Sequence, residues 1–153
     1  MQAGSYAGAE SADRYKVKIN PVTGEPRTVI VADDDEDIRQ LVVIAAKKAG
    51  VVVRAAVDNG TDAWKAVSGG GVDLAILDVS MPGMTGIEVA DRIRADPALD
   101  GTRVLVVSAS VQLLTDTEFE ESRIVSADRF ILKPFSPRDL TATIVDMLTD
   151  GIE

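Results

Sequence analysis

From Thr28 onward, short apolar runs alternate with stretches of helical spacing. Val29–Ala32, Val51–Ala55, Leu74–Leu77, Arg103–Val107 and Arg129–Leu132 read as strands. Leu74–Leu77 is apolar throughout, as expected of a strand covered by helices on both faces. Between the runs the period changes. Ile38, Leu41, Val42 and Ala45 stand at helical spacing in a helix starting near Glu36; Lys47 and Lys48 suit its negative end, and Gly50 its left-handed stop. Asn59 can cap a second helix carrying Trp64 and Val67, which breaks at Gly69–Gly71. Thr85 and Glu88 have capping-box spacing for a third helix that presents Ile87, Ala90 and Ile93 inward and ends at Asp96–Pro97. The stretch 111–125 reads as a fourth helix, unusually acidic at Asp116, Glu118, Glu120 and Glu121. Ser136 as cap and Pro137 at the first helical position open a last helix carrying Leu140, Ile144, Met147 and Leu148.

Five βα units predict an α/β fold: a doubly wound, five-stranded parallel sheet of strand order 2-1-3-4-5, flavodoxin-like, with helices on both faces and right-handed crossovers. This folded unit is expected over residues 28–150. Residues 1–27 lack periodicity, are rich in small and polar residues, and end in the turn chemistry of Asn20–Arg27, so they read as a flexible N-terminal arm. Within the arm, Tyr15–Ile19 alternates enough to pair as a short strand.

Composition narrows the chemistry. A chain of 153 residues, 46% hydrophobic, suits one domain, and no output domain is expected after Glu153. With no cysteine and no histidine, thiolate metal sites, His-ligated zinc and a Ser-His-Asp triad are all excluded, which leaves oxygen ligands. A net charge of −9 disfavours direct nucleic-acid binding, which depends on Lys and Arg neutralising phosphates. Apolar runs such as Val104–Val107 are far too short to cross a bilayer, and Met1–Ser11 lacks the order of a secretory signal. The expectation is therefore a cytoplasmic protein without membrane contact.

In such sheets the ligand site lies beyond the carboxyl ends of the strands. The residues there are Asp33, Asp34 and Asp35 after the first strand, Asp78 after the third, Ser108 after the fourth and Lys133 after the fifth. Two or three carboxylates brought together repel one another, and a divalent cation offsets that repulsion. Mg2+ fits oxygen ligands beside a phosphate best. Lys133 adds a point charge and Ser108 a hydroxyl, a set suited to stabilising a phosphoryl group in transit. Asp78 is the nucleophile candidate, since carboxylates form aspartyl phosphates and no Cys or His competes with it. Each residue alone has an ordinary structural explanation: Asp35 is as well suited to capping the first helix as to binding metal, a lone Asp after a strand caps turns, and a Lys before a Pro is usually a surface residue. Their joint occurrence at four successive strand ends favours function.

From Thr28 to about Thr149 the chain resembles the response-regulator receiver domain of bacterial two-component signalling. The motifs are Asp33-Asp34, Leu77-Asp78-Val79-Ser80-Met81-Pro82-Gly83-Met84-Thr85-Gly86, Val107-Ser108-Ala109 and Lys133-Pro134-Phe135. The resemblance implies that Asp78 takes a phosphoryl group from a sensor histidine kinase or a histidine phosphotransfer protein. It further implies that Asp33, Asp34, Asp78 and the Ser80 backbone carbonyl hold Mg2+, that Lys133 pairs with Asp78, and that the Lys133-Pro134 bond is cis. Ser108 and Phe130 occupy the two switch positions, whose movement would remodel the face of the fourth helix, fifth strand and fifth helix to control a separate output protein in a phosphorelay. Phe130 replaces the commoner Tyr, and Ser126-Ala127-Asp128 stands where the family commonly has Gly-Ala-Asp. Two other readings compete. A haloacid-dehalogenase-type phosphatase needs a second Asp two positions beyond the nucleophile, where this chain has Ser80. A phosphorylation-independent interaction module would predict an eroded pocket. Ser80 and Ser110 flank the pocket, where exchange is expected to alter the dephosphorylation rate.

Overall fold

The computed structural model describes residues 16–109 and 126–149; the expected acidic helix over 111–125 lies outside them. Apolar β-branched runs form five parallel strands: β1 (Thr28–Ala32), β2 (Val52–Val57), β3 (Leu74–Asp78), β4 (Arg103–Ser108) and β5 (Arg129–Leu132). They are hydrogen-bonded in the order β2-β1-β3-β4-β5. All five residues of β3, the central strand, are buried. The described helices are α1 (Glu36–Lys48), α2 (Gly60–Ser68), α3 (Gly86–Ala95) and α4 (Pro137–Leu148), with a short 3-10 turn at Pro97–Leu99.

Alternation along the strands divides the core into two layers. Val29 and Val31 of β1, Leu74 and Ile76 of β3, and Leu105 and Val107 of β4 point to the side covered by α1 and α4. The residues between them, Ile30, Ala32, Ala75, Leu77, Val104 and Val106, pack beneath α2 and α3. Leu140, Ile144, Met147 and Leu148 of α4 lie in the first layer, and Ile87, Ala90 and Ile93 of α3 in the second.

The helix starts are built locally. Asp35 caps α1, accepting from the Asp37 and Ile38 N–H groups. Asn59 caps α2, Ser136 caps α4, and Thr85 forms a reciprocal capping box with Glu88 at α3. Gly50, at φ +89°, lies just past α1, in the conformation expected of its left-handed stop.

Part of the N-terminal stretch touches the domain. Val17 is 9% exposed, its N–H donates to the Ala49 carbonyl at 2.7 Å, and it belongs to the α1–α4 core layer. Residues 20–25 then close a turn in which the Glu25 carbonyl accepts from the Asn20 N–H and the Asn20 carbonyl accepts from the Gly24 N–H.

Candidate functional site

Register brings the strand ends together. Ala32 pairs with Leu77, so Asp33 emerges beside Asp78; Asp78 itself pairs with Val107, and Ser108 with Leu132, the residue before Lys133. All four side chains thus start from the same edge of the sheet. Asp33 is 2% exposed, Asp78 5% and Ser108 1%, whereas Asp34 is exposed.

Within this cluster the Lys133 ammonium bridges two carboxylates, 3.1 Å from Asp33 Oδ2 and 3.2 Å from Asp78 Oδ1. Its own backbone N–H donates to the Ser108 carbonyl at 2.8 Å, which ties the lysine to the end of β4. The Lys133–Pro134 peptide is cis. Asp33 Oδ1 also accepts from the Asp35 N–H at 2.9 Å. Asp35 is therefore turned toward α1 as its cap and is not among the clustered carboxylates.

Electrostatics records the crowding. Burial first, then the Asp33 carboxylate, pushes the Asp78 carboxyl from its ordinary 3.8 up to about 6, with Lys133 pulling against them. Lys133 is raised as well: burial works to lower it and is outweighed by the hydrogen bond to Asp33 and the charges of Asp78 and Asp33. An ammonium between two carboxylates is well compensated, whereas a carboxylate with one cation and two anionic neighbours is not. The cluster lacks positive charge.

Asp33, Asp34 and Asp78 offer carboxylate oxygens that all lie within 4.8 Å of one another. A hard divalent cation held by carboxylate oxygens fits that donor set and supplies the missing charge. Among the described residues this is the group of acidic side chains arranged to hold a metal ion.

The loop after Asp78 is held by close backbone packing. The Val79 N–H donates to the Val107 carbonyl and the Gly86 N–H to the Val79 carbonyl. A Cβ on Gly86 would stand 2.1 Å from the Asp78 carbonyl oxygen, and one on Gly60 would stand 1.9 Å from the Met84 carbonyl oxygen. The Gly60 N–H also donates to the Pro82 carbonyl at 3.0 Å, so the start of α2 is pressed against this loop. Ser80 is exposed in the same loop, and Phe130 is partly buried, packed on the α2–α3 core layer. Ser110 lies outside the described residues. Two contributors carry no sequence signal: nothing in a lone glycine such as Gly60 reports what lies against it, and the target of Arg39 Nη1 is a backbone carbonyl, that of Asp33, at 2.9 Å. A cavity of about 280 Å³ lies between α1 and β2, lined by Arg39, Gln40, Val43, Ile44 and Ala56; none of the clustered carboxylates lines it.

A doubly wound sheet with this acidic, lysine-bridged edge defines a flavodoxin-like α/β protein with a charged site at its strand ends. The response regulator receiver domain model matches residues 29–145, and the chain belongs to that family. It is 33% identical over 126 residues to the phosphate regulon transcriptional regulatory protein PhoB of Pseudomonas aeruginosa, covering 80% of this chain and 52% of that protein. The chain spans about half the length of the curated relatives it matches. A LuxR-family DNA-binding response regulator from Staphylococcus aureus superposes with TM-score 0.70 at 32% identity, over 80% of this chain and 99% of that one. The response regulator TrrA from Thermotoga maritima, solved in complex with Mg(2+)-BeF, superposes with TM-score 0.68 at 29% identity and the same coverages. Among the described residues no helix is long and apolar enough to cross a membrane.

Proposed function

We propose that this receiver domain accepts a phosphoryl group on Asp78 from the phosphohistidine of a sensor histidine kinase or a histidine phosphotransfer protein. The observation that carries this reading is the pairing of one partly buried lysine, Lys133, with both Asp33 and Asp78 at the edge where four strands end. In the transfer, an Asp78 carboxylate oxygen forms a bond to phosphorus as the phosphorus–nitrogen bond breaks. The imidazole leaves with the electron pair and is neutral once its ring carries a single proton.

Lys133 orients the Asp78 carboxylate beforehand and stabilises the charge on the phosphoryl oxygens during transfer. Asp33, Asp34, Asp78 and the Ser80 carbonyl would hold Mg2+, which when bound supplies the positive charge that lets an anionic phosphoryl group approach an ionised carboxylate. The fold similarity to TrrA, solved with Mg(2+)-BeF, supports this assignment. Ser108 then offers its hydroxyl to the phosphoryl group and the Phe130 ring follows inward, which remodels the face that includes β5 and α4. That face controls a separate output protein in a phosphorelay; the acidic balance of the chain disfavours direct contact with nucleic acid. Because the domain modifies itself and turns over no external substrate, it acts as a regulatory phospho-acceptor rather than an enzyme, and it works in the cytoplasm.

Incubation with a small phosphodonor and Mg2+ tests the acceptor. Intact-mass measurement is expected to show the gain of one phosphoryl group in the wild type and none in Asp78→Asn. A gain that persists in the variant overturns the assignment of the site.

A further inference from the structure

Three contacts anchor the backbone of the loop that carries the acidic pair. The Asp33 N–H donates to the Val57 carbonyl at 3.1 Å, and the Asp35 N–H donates to Asp33 Oδ1 at 2.9 Å. The third anchor comes from α1, where Arg39 Nη1 donates to the Asp33 carbonyl at 2.9 Å. The two carboxylates differ in how they are held. Asp33 is fixed at both oxygens, by the Asp35 N–H and by Lys133. The exposed Asp34 carboxylate makes no hydrogen bond or ion pair among the described residues, so the backbone alone aims it into the cluster.

The peptide that joins Asp33 to Asp34 is the one whose carbonyl Arg39 holds. We infer that Arg39 is a positioning residue for the cation site: by gripping the Asp33 carbonyl it fixes the plane of the 33–34 peptide and so the direction of the Asp34 carboxylate. The charge of Arg39 does not explain its presence, since a guanidinium near a cation site opposes cation binding by simple Coulomb repulsion. What the site uses is a long side chain ending in an N–H donor that reaches from the second turn of α1 back to the loop. Partners that orient metal ligands in this way are typically required for full affinity. The inference rests on the reading of Asp33, Asp34 and Asp78 as a Mg2+ site.

Because the two effects have opposite signs, one titration separates them. Mg2+ is titrated calorimetrically into the wild type, Arg39→Met, Arg39→Lys and Asp34→Ala, each checked for folding by circular dichroism and for stability in EDTA. Arg39→Met is expected to bind Mg2+ about tenfold more weakly although a repelling charge has gone. Arg39→Lys keeps a donor and is expected to stay within about threefold of the wild type. A purely structural role would lower stability in EDTA and leave Mg2+ affinity unchanged. Should Arg39→Met fail to fold, Arg39→Gln is measured in its place with the same expected sign. Affinity in the neutral variant equal to or tighter than the wild type overturns the inference and leaves the site reading intact. Absence of Mg2+ binding by the wild type, or full binding by Asp34→Ala, overturns the site reading and the inference with it.

Discussion

At the scale of single residues, Asp78 is in a conflict that its fold creates. Its carboxyl stands near 6 in the folded chain against an ordinary 3.8, so the unfolded chain releases the proton first. Stability associated with this group is complete below about 3.8 and is lost as pH rises through about 6, a loss of about 3 kcal/mol at most by linkage. Asn keeps the shape and removes the charge. In the absence of divalent cations, Asp78→Asn is therefore expected to be more stable than the wild type by about 2 kcal/mol at pH 7.5, with the difference closing toward pH 4. Urea unfolding of both proteins across that range checks it, and a constant difference would mean that Asp78 ionisation is not the cause. Lys133, held above its ordinary 10.5, keeps its contribution across this window and loses it only in stronger base. The residue types of the site were legible in the sequence, since each followed a strand-like run. The asymmetry between a buried Asp33 and an exposed Asp34 was not, because it depends on which way each side chain leaves the loop.

At the scale of elements, local chemistry and close packing divide the work. Caps at Asp35, Asn59, Thr85 and Ser136 start the helices where short-range sequence places them. The meeting of α2 with the loop after β3 is a different matter, since it depends on two backbones touching at Gly60. Gly60→Ala forces a Cβ to 1.9 Å from the Met84 carbonyl oxygen, where no flexible side chain can give way. It is expected to destabilise by about 2 kcal/mol or more through overpacking. Gly69→Ala is the control: its Cβ would meet nothing within 4 Å, and its φ of −74° suits alanine. That variant is expected to be neutral or more stable by up to about 1 kcal/mol, because alanine restricts the unfolded chain. Denaturant midpoints of the two variants decide the point, and similar midpoints would show that the close approach at Gly60 relaxes at little cost. Spacing predicted where helices begin but could not report what presses against a glycine, since that contact crosses between elements.

At the scale of the whole molecule, the two core layers and the strand order 2-1-3-4-5 follow from the alternation of βα units, whose right-handed crossovers leave few arrangements. The seat of Val17 follows only in part from pattern. That residue lies in the alternating stretch Tyr15–Ile19, whose described residues 16–19 form no strand, yet it is 9% exposed and bonds to Ala49 just past the end of α1. Val17→Ala is expected to cost about 1 kcal/mol through lost burial while leaving Mg2+ affinity unchanged, because the 13 residues of α1 separate it by about 20 Å from the acidic loop. Unfolding and Mg2+ titration of the same variant check both halves, and a coupled change would show that this contact communicates with the site. By itself the sequence determined the five strands, the four described helices, the caps Asn59, Thr85 and Ser136, and the set of oxygen and nitrogen groups that strand ends deliver, because those depend on periodicity and on neighbours a few residues away. Only the tertiary structure decided that Lys133 bridges Asp33 and Asp78, that Asp35 turns away to cap α1, that Arg39 holds the acidic loop, and that Val17 closes the core. The Lys133 bridge and the Val17 contact join residues far apart in the chain and follow from strand register and packing; the Asp35 and Arg39 contacts span two to six residues, and there the side-chain direction, which pattern does not report, chose between competing partners.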